Sequence, residues 1–155
     1  MSNTEYKLSD TIDIITEVLE SGGEFRLYPK GTSMLPLLRQ GKDSVVLIRA
    51  EDNIKKHTVA FYQRKDGSYI LHRIIKRDDD GTYVMCGDNQ TELETGVEPT
   101  QIIGCVSEIY RGKKPVIKSP IYKLYVIVWC FMPYRRAERG IRHLLGNIKR
   151  KLIKK

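Results

Sequence analysis

Hydrophobic positions first recur at a helical spacing. Ile12, Ile15, Val18 and Leu19 stand three and four positions apart before Gly22-Gly23, which predicts a helix over 8–20. From Phe25 the period shortens. Phe25-Arg26-Leu27-Tyr28 alternates, and strand-like runs follow at 44–48, 58–63, 69–75, 82–86 and 102–110. Lys65-Asp66-Gly67-Ser68 and Asp78-Asp79-Asp80-Gly81 supply turns between the middle runs. The centre is therefore expected to be mainly β, an antiparallel arrangement of hairpins. After Gly112-Lys113-Lys114-Pro115 the pattern changes. Positions 124–132 are nine apolar residues in a row, well short of the roughly 20 that span a bilayer. This run is expected either to pack on the β body or to dip into a membrane interface. From Arg136 a helical period returns, with Ile141, Leu144, Leu145, Ile148 and Leu152 on one face. That pattern describes a basic amphipathic helix. The expected division is a β domain with an amino-terminal helix at 1–115 and an apolar segment with a basic tail at 116–155.

Charge sharpens the division. From Arg135 onward there are nine Lys or Arg and one acid, which accounts for the whole formal net charge of +8. The body is balanced and the tail is a cation, suited to anionic lipid, nucleic acid or an acidic partner. Few aromatics follow Tyr134 on which bases would stack, so nucleic acid is not the expected partner. An anionic membrane surface, met through residues 121–155, is the expected one. At 155 residues with 41% hydrophobic content, one domain with an appendage can build its own core. Three cysteines, Cys86, Cys105 and Cys130, show no Cys-x-x-Cys spacing. That favours a reducing compartment and thiols used as small hydrophobes. His57, His72 and His143 lie far apart and form no ligand pair, so neither a metal nor a cofactor is expected.

The candidate chemistry starts at Gly31-Thr32-Ser33-Met34-Leu35-Pro36. Gly31 and Pro36 constrain the backbone on either side of Ser33, which suits a hydroxyl held clear of its own chain. A serine hydroxyl needs a base at hydrogen-bond distance. His72, in Leu71-His72-Arg73, titrates in the right range. Asp88, in Cys86-Gly87-Asp88-Asn89, is the expected acceptor from the other ring nitrogen. The Ser33 N–H is the obvious oxyanion donor. Arg73 is read as structural, pairing with a carboxylate or carbonyl.

These residues resemble the boxes of type I signal peptidases, whose clan includes the self-cleaving SOS repressors. Gly31–Pro36 is similar to the Gly-x-Ser-Met-x-Pro box. Leu71-His72-Arg73-Ile74-Ile75 resembles the segment that carries the base, with histidine as in the archaeal and endoplasmic-reticulum branch. Gly87-Asp88-Asn89 resembles that branch's Gly-Asp-Asn box, and Ile103-Gly104-Cys105-Val106 its following strand. The resemblance covers about Phe25 to Tyr110. It implies a coiled antiparallel β fold and a serine endopeptidase that cuts leader or signal-like peptides after small residues. It implies Ser33, His72 and Asp88 as the catalytic set. Gly31, Thr32, Met34 and Pro36 would form the oxyanion and substrate-positioning turn, with Arg73, Gly87 and Asn89 in support. Some family members place a second oxyanion hydroxyl where this chain has Gly31. The membrane anchor that usually precedes the serine box is not seen at 8–20, so a cytoplasmic location, peripheral on the inner membrane face, is expected. The other readings are a peptide-binding module of the same fold that does not cut, and a repressor-related regulator.

Overall fold

The computed structural model of the 155-residue chain describes residues 8–131 together with 135, 137, 140 and 141. Over residues 8–131 it is mainly β: one antiparallel sheet of eight strands with two short α-helices. The helix α1 spans Leu8–Glu20, and Ile12, Ile15 and Leu19 are its buried positions. It ends where Gly22 N–H and Gly23 N–H donate to the Leu19 and Val18 carbonyls at 3.1 and 2.8 Å.

The strands are β1 (Phe25–Leu27), β2 (Asp43–Ile48), β3 (Val59–Gln63), β4 (Tyr69–Arg77), β5 (Tyr83–Cys86), β6 (Glu94–Val97), β7 (Ile102–Arg111) and β8 (Lys114–Pro115). They lie in the order β1-β2-β7-β3-β4-β5-β6, with β8 folded back on β7. Two cores result, because side chains alternate across each strand. Val59 and Phe61 of β3 and Leu71 of β4 join α1 and the 34–38 turn in one core. Ala60, Tyr62 and Ile74 join Tyr83, Met85, Val97 and Ile102 in the other. β6 was not expected; Glu94-Thr95-Gly96-Val97 carries one buried apolar residue and no alternation that would mark a strand.

The apolar run at 124–132 belongs to a helix that begins earlier. The helix α2 spans Pro120–Trp129, with Ser119 as its cap: Ser119 Oγ accepts from the Tyr122 N–H at 3.1 Å, and Pro120 takes the first turn. Expected as either a packed or an interfacial segment, it has one face on the β body and one face exposed. No helix among the described residues is long and apolar enough to cross a membrane. The amphipathic helix expected from Arg136 lies outside the described residues except at 137, 140 and 141.

Candidate active site

The segment between β1 and β2 carries Ser33. Gly31 takes the left-handed φ of +89°, and its N–H donates to Gln40 Oε1 at 2.8 Å. Met34, Leu37 and Leu38 are buried in the α1 core and pin the turn from below. Asp43, with its side chain wholly buried, closes it: its carboxylate accepts from the Arg39 N–H at 2.9 Å and from Arg39 Nε and Nη2 at 3.0 and 2.9 Å. Burial would raise the Asp43 pKa, but those Arg39 hydrogen bonds outweigh it and hold the carboxyl below its usual range. Ser33 is left half-buried, with Thr32 and Pro36 exposed on either side. A pocket of about 80 Å³ opens beside Ser33, walled by Met34, Leu38, Tyr69 and Leu71 among others.

β4 brings His72 up from the opposite side of the chain, and the turn after β5 locks the two together. The Ser33 carbonyl accepts from the Asn89 N–H at 2.7 Å, and the Thr32 carbonyl from Asn89 Nδ2 at 3.2 Å. Gly87 lies in the angle. A β-carbon there would sit 2.6 Å from the Ser33 carbonyl oxygen, closer than real β-carbons come, and 3.0 Å from His72 Nε2, tighter than nearly all of them. Glycine is therefore what lets the serine turn, the β5 turn and the imidazole share one space. The Ser33 hydroxyl makes no hydrogen bond to His72 or to any other described residue, and neither does the Ser33 N–H. The structure thus brings the Ser33 turn and the His72 imidazole together over Gly87 with no hydrogen bond between their side chains.

The expected role of Asp88 is corrected. Its carboxylate accepts from Arg73 Nε at 2.8 Å and Arg73 Nη2 at 2.6 Å, from the Tyr125 hydroxyl at 2.8 Å, and from Arg135 at 3.4 Å, not from His72. The reason is the pleat. Consecutive residues on a strand point to opposite faces, so His72 and Arg73 address different sides of β4, and Asp88 is on the Arg73 side. Arg73 is fully buried and also donates to the His57 carbonyl at 2.7 Å. A fork-to-fork pair with both side chains out of water holds only because its hydrogen bonds are met. Burial works against the Arg73 charge, but Asp88 outweighs it and drives its pKa upward. Arg73 and Asp88 are structural partners that fix the Gly87-Asp88-Asn89 turn.

The group facing the other imidazole nitrogen is one that the sequence did not single out. Tyr62 lies on β3, diagonally across from His72, with its hydroxyl 3.4 Å from Nδ1. That hydroxyl donates to Glu94 Oε2 at 2.8 Å, and Glu94 Oε2 is 4.0 Å from Nδ1. Since the Tyr62 proton goes to Glu94, the Tyr62 oxygen is free to accept from Nδ1–H. That tautomer leaves Nε2, the nitrogen facing Gly87 and the serine turn, unprotonated. Arg64 grips Glu94 with Nε at 2.8 Å and Nη2 at 2.6 Å. Burial, and then the nearby Arg64 charge, push His72 down to about 4, with Glu94 and Asp88 only partly offsetting them. His72 is accordingly neutral throughout the physiological range. Lys76, farther along β4, is exposed and paired with Asp78 at 2.5 Å.

The inner face of α2 covers the Asp88 turn. Besides Tyr125 on the carboxylate, Trp129 Nε1 donates to the Asp88 carbonyl at 2.7 Å, and the Tyr122 hydroxyl lies 3.3 Å from Arg73 Nη1. Arg135, counted from sequence among the tail's free cations, is 2% exposed. It donates to the Gly87 and Gln90 carbonyls at 3.0 and 3.3 Å and to the Trp129 carbonyl. Among the described residues no cluster of His, Cys, Asp or Glu has the arrangement to hold a metal ion.

The chain matches no protein-family model, no curated protein and no solved structure.

Proposed function

We propose that this chain is a serine peptidase of the signal peptidase type, built on a coiled antiparallel β fold. The observation that carries the reading is Gly87, packed so that the Ser33 carbonyl and His72 Nε2 meet over it. In the proposed reaction Ser33 Oγ attacks the scissile carbonyl carbon while its proton passes to His72 Nε2. The Ser33 N–H, which no described residue engages, faces the developing oxyanion. Collapse of the tetrahedral intermediate expels the amine, which takes the proton back from His72. Water, deprotonated by the same nitrogen, then hydrolyses the Ser33 ester. Tyr62, backed by Glu94, holds Nδ1 protonated. The pocket of about 80 Å³ beside Ser33 fits a small side chain and little more, in keeping with cleavage after small residues.

Incubation with a peptide library, with cut sites read by mass spectrometry, tests the reading. Cleavage by the full chain and none by Ser33→Ala is the expected result. One observation favours a second reading, a peptide-binding module that does not cut: the Ser33 hydroxyl is not hydrogen-bonded to His72. Peptide retention without cleavage, unchanged by Ser33→Ala, identifies that case.

A further inference from the structure

Helix α2 has two apolar faces, and the Asp88 turn uses only one. Tyr122, Tyr125 and Trp129 face inward. On the opposite side Ile121, Leu124, Ile127 and Phe131 are 80%, 62%, 71% and 61% exposed, with Val128 beside them. Single exposed hydrophobes are ordinary, but a row at helical spacing on a helix already seated is not. The charges around the row have one sign. No Asp or Glu stands between Glu108 and Glu138, while seven Lys or Arg do. Lys113, Lys114, Lys118 and Lys123 are all exposed.

We propose that this outer face of α2 docks in the plane of an anionic lipid bilayer, its apolar row in the acyl boundary and its lysines on the headgroups. Length agrees with lying in the plane: 10 residues of helix measure about 15 Å, half of the ~30 Å hydrocarbon core. Charge selects lipid over a second copy of the chain. Two such faces brought together would set lysine against lysine, whereas an anionic surface neutralises them. Docking by this face leaves the inner face free to keep its grip on Asp88. No catalytic group takes part, so the inference stands or falls apart from the peptidase reading.

The test is sedimentation of the full chain with vesicles of phosphatidylglycerol mixed with phosphatidylcholine, and of phosphatidylcholine alone. The expected result is binding to the anionic vesicles only, reversed by salt. Leu124→Asp and Ile127→Asp, on the exposed face and checked for folding by circular dichroism, should each weaken binding by about tenfold or more. A charge-only variant, Lys118→Glu with Lys123→Glu, should weaken it without altering the apolar row. Absence of anionic-vesicle binding overturns the proposal. So does binding that Leu124→Asp and Ile127→Asp leave unchanged, which would place the contact elsewhere in the chain. A self-association abolished by the same variants, with no lipid binding, overturns it in favour of a second copy.

Discussion

Gly87 and Ser33 are in such close register that a β-carbon on Gly87 would lie 2.6 Å from the Ser33 carbonyl oxygen. Gly87→Ala must therefore displace the serine turn or the β5 turn by several tenths of an ångström. A misplacement approaching 1 Å costs on the order of a hundredfold in rate. The expected outcome is a folded variant with an unfolding midpoint near that of the parent and kcat/KM for peptide cleavage reduced by about tenfold, and by no more than that hundredfold. Unchanged turnover in a folded Gly87→Ala would remove Gly87 from the site.

In the proposed reaction His72 should act over an unusually acidic range. His72 is held down to about 4 by burial and by Arg64, against an ordinary value of 6.5. The acid limb of kcat/KM is then expected near pH 4, with a plateau through neutrality. Stability follows the same group. Between about 6.5 and about 4 the unfolded chain binds the proton that the folded chain refuses, so acid destabilises the fold across that window. In His72→Ala both the activity and this part of the pH dependence of unfolding should vanish. A limb at 6.5 or above in the parent would contradict the buried, neutral imidazole.

Tyr62 and Glu94 are expected to matter as a chain. Tyr62→Phe removes the oxygen 3.4 Å from Nδ1, and the imidazole loses the acceptor that fixes its tautomer. A loss of about 10- to 100-fold in kcat, with KM little changed, is the expected outcome. Glu94→Gln should lower activity by less, because Tyr62 keeps an acceptor oxygen within reach. Steady-state kinetics and the His72 titration by NMR together read this. A Tyr62→Phe variant with parental kcat and an unmoved imidazole shift would show that Tyr62 only packs.

Asp88 variants should fail in stability before they fail in chemistry. Asp88→Asn strands the Arg73 charge, whose side chain is 0% exposed. Breaking one partner of a buried pair costs about 3–5 kcal/mol, or a melting point lower by roughly 10 °C in a domain of this size. Urea unfolding and calorimetry measure it. An Asp88→Asn protein of parental stability that instead lost its His72 titration shift would restore the orienting role expected from the sequence.

The parts of the site that were legible in sequence are those with a local cause. Gly31, Ser33, Gly87 and Asn89 sit in turns whose residue types announce them, and the helical period of Ile12, Ile15 and Leu19 gave α1 its bounds. The mainly β centre was legible from alternation and turn chemistry. Asp88 was misassigned because a one-dimensional motif does not say which side of β4 it meets. Strand alternation did contain the answer: His72 and Arg73 are neighbours and cannot share a face. Tyr62 was within reach too, since the 65–68 turn pairs Ala60 with His72 and places Tyr62 on the same face. Glu94 was not, because β6 has no pattern and is recruited by pairing with β5 alone. Ser119-Pro120 was an unread helix start that would have extended the apolar run into α2.

The strand order has a consequence for synthesis. β1 and β2 form one unit and β3 to β6 another, and β7 is the strand that pairs with both. Ser33 belongs to the first unit and His72 to the second. A chain leaving the ribosome therefore holds its Ser33 hydroxyl and its His72 imidazole on pieces of sheet that no strand joins until Ile102–Arg111 has emerged, and before then only the Asn89 bonds and the α1 core link the two.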